Sequence, residues 1–566
     1  MAIYEKYIGR SRDSFKSLED LQENYKITCP NDFNFAYDVI DVLGTEQPDK
    51  MAIIWVSNEG EEKYFTFRDM MLESNRAANY FKAQGFKKGD RVLLVLKRSY
   101  LFWIIMLAFH KIGVIPVQAT NMLTKKDYIY RCNVGKIKYA IITADGDCTD
   151  HFDEGCSEYE TIKKKYVTKH KNIDGWIDFE AGYEAASTDW TRPVGKDATK
   201  ADDVMLMGFT SGTTGYPKIF THDFRYPLGH IATGVFWHRV VDGGVHFTVS
   251  DTGWAKSLWG KFYGQWFGET AHLIYDFDKF DGEDILSKLE KYKVTTFCVP
   301  PTMYRMMLKF DVKRYDLSSL THCCTAGEAL NPDIYNKWLE ATGQKIYEGF
   351  GQSETPVCIC TLYPFTEPVP GAIGYSAPGY DVHILDENNN HCQRGTVGEI
   401  CIKAKSIDER PYGLLSSYNW SRQDTKKALH DGYYHTGDTA YRDETGRFRY
   451  VGRNDDVIKS SGYRIGPFEV ESVLMEHPAV MEVAVTGVPD VKGTRGFLVK
   501  ATIVLRDGYS GSDELVKELQ NYVKQNTAPY KYPRIVEFVD SLPKTFSGKI
   551  QRTEIRKMDK EKLGVE

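Results

Sequence analysis

The sequence predicts an α/β protein: a large N-terminal part of two helix-covered sheets with a small β-barrel-like unit, followed by a small α+β unit. Three observations predict it. From Ala52 to Thr325, apolar runs of strand length alternate with helical stretches, the rhythm of parallel sheets covered by helices. Beyond Pro370 the pattern changes to short strands separated by turns. After Gly452-Arg453-Asn454-Asp455-Asp456, roughly 110 residues with helix, strand, strand and helix in that order stand apart as a final unit.

Residues 1–50 are mixed and helical in tendency, with aromatics expected to dock on the main body. Ala52–Val56 reads as a strand, Thr66–Gln84 as a helix ending near Gly85, and Arg91–Leu96 as the next strand. The apolar run Leu101–Phe109 is too short to span a membrane and reads as a core helix. Strands at Gly113–Val117 and Tyr139–Thr143 flank a helix near Lys125 and close the first unit. Residues 145–200 lack periodicity and are expected to form a surface excursion. The second unit follows the strand Val204–Met207. Its helices are expected at Pro227–Trp237, Ser257–Phe267, Gly282–Tyr292 and Thr302–Phe310, and its strands at Val245–Val249, Ala271–Ile274, Thr295–Val299 and Leu320–Thr325. Val382–Leu385 and Gly398–Ile402 are short strands joined through the turn Asp386–Asn390. The last unit has helices at Pro467–Glu476 and Ser512–Asn526 and strands at Val480–Thr486 and Val499–Val504.

Composition narrows the function classes. The chain has 566 residues, 42% hydrophobic and 27% charged, with a net charge of −6 and no basic block. That disfavours nucleic acid as the main partner, because phosphate-backbone binding needs a positive footprint. The eleven cysteines include Cys323-Cys324 and Cys358-x-Cys360, neither with zinc-site spacing, so reduced and mostly buried thiols are expected. The first residues carry Glu5, Asp13, Glu19 and Asp20 without an apolar segment, so the expected location is the cytoplasm.

The chemistry-bearing stretches begin with Thr210-Ser211-Gly212-Thr213-Thr214-Gly215-Tyr216-Pro217-Lys218. Glycines let backbone N–H groups approach an anion, and the hydroxyls and the ammonium add donors. The stretch departs from the Walker pattern at Pro217 and Ile219, and taken alone it reads equally as a phosphate loop or as an ordinary surface loop. Five more stretches follow in order. They are Gly327-Glu328-Ala329; Glu348-Gly349-Phe350-Gly351-Gln352-Ser353-Glu354-Thr355; Tyr434-His435-Thr436-Gly437-Asp438; Gly452-Arg453-x-Asp455-Asp456 with Ser461-Gly462-Tyr463-Arg464-Ile465; and Ser547-Gly548-Lys549-Ile550. Each alone admits a plainer reading as a turn, a helix cap or a solvated charge.

Together and in this order, the six stretches resemble the adenylate-forming (AMP-binding) enzymes, and most closely the medium-chain acyl-CoA synthetases. The resemblance runs from about residue 50 to residue 558. It implies a two-step ligation using ATP, Mg²⁺ and coenzyme A: a carboxylic acid becomes an acyl-adenylate with release of pyrophosphate, and the thiol then displaces AMP. It implies that Thr210, Ser211, Gly212, Thr213, Thr214, Gly215 and Lys218 cover the β- and γ-phosphates. Gly327, Glu328 and Ala329, with Glu348, Gly349 and Phe350, would line the adenine site beside Gly351 and Gln352. Ser353 would touch the α-phosphate, Glu354 would hold Mg²⁺, Asp438 would bind the ribose with Arg453 beside it, and Arg464 would reach the AMP phosphate. Lys549 would be the catalytic residue, bridging the carboxylate and the α-phosphate.

The resemblance further implies two domains, 1–454 and 455–566, the second a mobile lid hinged at Asp455. Gly462 would border the pantetheine tunnel. The site of the coenzyme A 3′-phosphate is open, with Lys492, Arg495 and Lys524 as candidates. For the acyl pocket the candidates are Trp237, Trp254, Lys256, Trp259, Cys298 and Gly351. Gly351 stands where acetate-specific relatives carry tryptophan, which argues for a longer acid. Lys256 departs from the apolar residue expected of a medium-chain pocket and shares a helix face with Trp259. A shortened pocket for small or branched acids is expected, the alternative being that these tryptophans are core and Lys256 faces solvent. Ile219-Phe220 replaces the usual small residue after the loop lysine, which puts the loop's mobility in question. Two other activities share these motifs: loading of a carrier protein, and silent binding of a nucleotide or acyl group. The second would have no need of Lys549.

Overall fold

The computed structural model describes residues 1–156, 159, 161–210, 217–328, 330–460, 463–490, 496–544 and 549–564, with the side chain of Arg464 excepted. Two large sheets dominate the N-terminal part. The first has eight strands in the order Ser417–Tyr418, Ile219–Asp223, Val204–Phe209, Ile115–Gln118, Arg91–Val95, Tyr139–Ile142, Lys164–Val167 and Ile177–Asp178. The second has nine strands, and its central parallel run is Ile346–Phe350, His322–Ala326, Thr296–Cys298, Val245–Thr248, Ala271–Asp276 and Met51–Ser57. Met51–Ser57 therefore belongs to the second sheet, pairing in parallel with Ala271–Asp276, although after Glu62–Thr66 on its other side the chain builds the first.

The helix Leu101–Ile112 is buried along its whole length, as expected of a helix apolar on every face. One continuous core joins it to Phe67–Ala83, Tyr226–Ile231, Tyr263–Phe267 and strands of both sheets. The N-terminal aromatics dock there, with Tyr7 edge-on to Phe267 at 5.6 Å. Strand Gly398–Lys403 lies between Val382–Leu385 and Tyr433–Arg442 in a five-stranded antiparallel sheet. The C-terminal part has a three-stranded sheet, Val480–Pro489, Phe497–Leu505 and Ile535–Phe538, with a hydrophobic cluster of its own. No helix among the described residues is long and apolar enough to cross a membrane.

Several expectations need correction. Residues 145–200 are not merely a surface excursion: Lys164–Val167 and Ile177–Asp178 extend the first sheet, held by buried Tyr166, Trp176 and Phe179. The helix expected over 257–267 is two helices, Ala255–Gly260 and Tyr263–Phe267. They part where the Trp103 indole N–H takes the Lys261 carbonyl at 2.6 Å. Ile219-Phe220 begins the buried strand Ile219–Asp223, so these two residues are bulky because they are core.

One helix crossing sets the packing behind the site. A Cβ on Gly234 would lie 2.1 Å from the Gly264 carbonyl carbon, and one on Gly264 would lie 2.3 Å from the His230 carbonyl oxygen. Two backbones touch there without side chains between them, which places Trp237 one turn further on. Gly264→Ala is expected to destabilise the protein by about 1–3 kcal/mol through overpacking. The urea midpoint measures it, and a wild-type midpoint would contradict the crossing.

Candidate active site

The site lies at the carboxyl ends of Thr296–Cys298, His322–Ala326 and Ile346–Phe350, where parallel sheets collect ligands. Gly327 follows its strand with φ of 100°, a conformation that favours glycine, and an added Cβ would meet nothing within 4 Å. Glu328 beside it accepts a hydrogen bond from the Thr302 hydroxyl at 2.7 Å. Glu348, Gly349 and Phe350 lie on a strand rather than in a loop. Glu348 points inward and accepts the backbone N–H groups of Leu330 (3.2 Å) and Gly371 (3.0 Å). Burial pushes its carboxyl up to about 8, against the pull of those two donors. Phe350 stands 6.0 Å from the Tyr450 ring on the open side.

A hydrogen-bonded chain runs across the site. The Tyr418 hydroxyl donates to Glu354 Oε1 at 2.7 Å and lies 3.3 Å from the Tyr434 hydroxyl. Tyr434 donates to Gln352 Oε1 at 2.9 Å, and Gln352 Nε2 donates to Asp438 Oδ2 and to the Thr436 carbonyl. Asp438 also accepts from Tyr450 at 2.8 Å and from Arg453 at 3.2 Å. Burial raises the carboxyls of Glu354 and Asp438, while Arg453, Tyr450 and Gln352 pull Asp438 back down. Asp438 sits within the ten-residue strand Tyr433–Arg442, not on a simple turn. Gly437, with φ of 71°, and a register shift at Thr439/Ala440 bulge that strand locally. The Ser353 carbonyl accepts from His222 Nε2 at 2.9 Å, and burial keeps that imidazole neutral with a pKa of about 3.

Thr210 and Lys218 meet at the ends of the antiparallel strands Val204–Phe209 and Ile219–Asp223. Thr210 N–H donates to the Lys218 carbonyl at 2.9 Å, and the Lys218 ammonium stands 5.7 Å from the centre of the Tyr418 ring. Lys549 is exposed, and its charge lowers the pKa of both Asp438 and Lys256, so it stands within electrostatic reach of the two. Ser211, Gly212, Thr213, Thr214, Gly215, Ala329, Gly462, Lys492, Arg495 and the Arg464 side chain lie outside the described residues. Asp455 is exposed, 3.7 Å from Arg453 Nε.

Two of the acyl-pocket tryptophans press on the glycines. A Cβ on Gly351 would lie 2.5 Å from Trp259 Cη2, and one on Gly349 would lie 2.5 Å from Trp237 Cζ2. The two tryptophans therefore occupy space that side chains at the glycines would take. Lys256 donates to the Ala326 carbonyl at 2.9 Å. Burial lowers its pKa and the nearby Cys298 raises it, while the residue as a whole is half-buried. Trp254 caps the helix Ala255–Gly260 from outside and is half-buried.

Tyr418, Tyr450 and His222 were missed in the sequence because none stands in a glycine-rich motif. Asp456 stood in a quoted motif without a role. It pairs with Arg556 and lies 3.9 Å from Arg552, whose guanidinium also grips Glu471 at 2.7 Å. These contacts tie the last helix, Arg552–Leu563, to the segment after Gly452.

Glu348 makes the fold pH-sensitive. Its folded pKa of about 8 lies above the ordinary carboxyl value of 4.5, so its contribution is fully present below 4.5 and is lost as pH rises through 8. Glu348→Gln is expected to flatten the fall in melting temperature between about pH 5 and pH 8. An unchanged slope would assign that fall to other groups.

Comparison with known proteins places this geometry. Residues 42–408 match the family model described as AMP-binding enzyme, and residues 469–549 match the AMP-binding enzyme C-terminal domain. The mouse mitochondrial acyl-coenzyme A synthetase ACSM3 is 39% identical, covering 98% of this chain and 96% of its own length. Human mitochondrial ACSM5 is 39% identical over 94% of this chain and 91% of its own. The anthranilate CoA ligase AuaEII, solved with anthranoyl-AMP, superposes with a TM-score of 0.84 at 26% identity, covering 95% of this chain and 99% of its own. The Brucella canis acyl-CoA synthetase does so at 0.72 and 29%, covering 97% and 100%. The relatives ACSM3 and ACSM5 are named as mitochondrial proteins, which overturns the expectation of a cytoplasmic location. With both family models matched and near full-length identity to these synthetases, the chain belongs to the AMP-binding enzyme family.

Proposed function

We propose that this chain is an AMP-forming acid–thiol ligase, an acyl-CoA synthetase of the medium-chain type. It activates a short, medium-chain or branched carboxylic acid with ATP and passes the acyl group to coenzyme A. The observation that supports the reading is the hydrogen-bonded chain joining Glu354 to Asp438, with Lys549 within electrostatic reach of Asp438. In the first step a carboxylate oxygen attacks the α-phosphorus, the bond to the bridging oxygen breaks, and pyrophosphate leaves. In the second step the coenzyme A sulfur attacks the acyl carbon, the bond to the phosphate oxygen breaks, and AMP leaves, while the thiol proton passes to solvent.

Each residue role follows from charge. Two anions must meet in the first step, so their repulsion has to be screened by oriented cations and donors. Lys549 bridges the acid and the α-phosphate, Lys218 and its loop hold the leaving pyrophosphate, and Ser353 meets the α-phosphate. Asp438 takes the ribose hydroxyls, with Arg453 beside it. The adenine lies along Gly327 and the strand Ile346–Phe350, against Phe350 and over Glu348. The buried Glu354 carboxylate, with Tyr418 on one oxygen, suits a hard cation that takes oxygen ligands, and Mg²⁺ held there with the nucleotide would supply charge neutralisation.

The hinge and the acyl pocket complete the reading. Residues 455–566 act as a lid turning about Asp455, which withdraws Lys549 after adenylation and opens the thiol's approach beside Gly462. Trp237 and Trp259 over Gly349 and Gly351, with Lys256 and Cys298, leave a short pocket for small or branched acids. Trp254 lines its entrance.

Two experiments test this. Lys549→Ala is expected to lower acid-dependent pyrophosphate exchange about 10²–10³-fold while largely sparing thioester formation from supplied acyl-adenylate. Equal loss in both steps would contradict the division of labour. Trp259→Ala is expected to move the preference in kcat/KM toward longer acids by about tenfold or more per methylene. An unchanged profile in an AMP-release screen of straight, branched and aromatic acids would remove the pocket assignment.

A further inference from the structure

The five-stranded sheet has two chemically different faces. Ile384, Ile400 and Ile402 join the main core, and the alternate residues Glu399 and Cys401 take the other face. The register then places side chains that sequence spacing keeps apart. Cys401 is paired with His383 on one neighbouring strand and with His435 on the other. Glu399, two residues before Cys401, is brought in by the register shift between them.

The donor atoms converge. His435 Nδ1 lies 3.5 Å from Cys401 Sγ and 3.1 Å from Glu399 Oε2, and the three donors all lie within 4.8 Å of one another. With zinc–sulfur bonds of about 2.3 Å and zinc–nitrogen and zinc–oxygen bonds of about 2.0–2.2 Å, tetrahedral edges come to about 3.3–3.6 Å. Small side-chain shifts separate the present spacing from that geometry. The surroundings are ordered: the His430 ring stacks on His435 at 4.0 Å, and Glu399 Oε1 accepts the Gly437 N–H at 2.7 Å. Such outer contacts orient metal ligands. Cys401 is buried, whereas Glu399 and His435 are partly open, which leaves a side for water.

We propose that Glu399, Cys401 and His435 form a binding site for a thiophilic divalent cation of the zinc class, with water as the fourth ligand. Binding releases the Cys401 thiol proton to solvent. It also moves the His435 proton from Nδ1 to Nε2, a buried nitrogen without a hydrogen-bond partner in the metal-free arrangement. One proton is released per cation. The site is distinct from Glu354 and borders the proposed nucleotide site through Tyr434, Thr436 and Gly437.

The test uses the full chain, stripped with chelator under reducing conditions and titrated with Co²⁺ alone. One equivalent is expected to give a thiolate-to-cobalt charge-transfer band with tetrahedral d–d bands, displaced by Zn²⁺. Cys401→Ser removes the charge-transfer band, and His435→Gln and Glu399→Gln each weaken Co²⁺ binding by about tenfold or more. Melting curves establish that each variant is folded, and Glu399→Gln keeps the decision open to measurement if Cys401→Ser folds poorly. Absence of the band in the wild-type chain, its survival in folded Cys401→Ser, or wild-type affinity in both other variants overturns the site. Each would leave a histidine–carboxylate hydrogen bond beside an inert thiol.

Discussion

A buried carboxylate governs the arrangement of this protein's cleft. Asp438 is taken out of water on the strand Tyr433–Arg442, and a charge in that position is strongly destabilising unless it is paired and hydrogen-bonded. Its partners come from two other segments: Gln352 after the last parallel strand of the second sheet, and Tyr450 and Arg453 from the neighbouring antiparallel strand. The carboxylate is satisfied only when the five-stranded sheet and the nine-stranded sheet are in register with each other. The same requirement fixes Gln352, and through Tyr434 and Tyr418 it fixes Glu354. The positions of Gln352, Tyr434, Tyr418 and Glu354 thus follow from one desolvated charge.

Shape is set by a second constraint, the exchange of glycine for tryptophan. Gly349 and Gly351 leave room that Trp237 and Trp259 fill from the other side of the cleft. Trp237 is positioned by the contact between Gly234 and Gly264, where two backbones meet. The place of the Trp237 ring is therefore decided by a backbone contact one helical turn away. Half-buried Lys256 bonds its ammonium to the carbonyl of Ala326 at the end of a strand.

Much of this was legible in the sequence, and the failures have physical causes. The long amphipathic or wholly apolar helices and the β-branched strands declared themselves by period, and the glycine-rich stretches named the cleft. Ile346–Phe350 is a strand by its pairing with His322–Ala326, which a stretch containing two glycines does not announce locally. Residues 145–200 read as surface because their strands are only four and two residues long and are held by single aromatic anchors. The Ser257–Phe267 helix was broken by a tertiary hydrogen bond from Trp103, which no local pattern carries. Tyr418 and Tyr450 act through long-range hydrogen bonds, and Cys401 meets His435 only through strand register. Location failed for another reason: acidic residues near the start of the chain say little about the compartment in which its relatives work.

The central claim is that the acid itself attacks the α-phosphorus of ATP. Substrate carboxylate labelled with ¹⁸O, turned over with ATP and coenzyme A, tests it by mass analysis of the products. The account predicts one labelled oxygen in the phosphate of AMP and none in pyrophosphate. Unlabelled AMP, or label in an orthophosphate released alongside ADP, would contradict it.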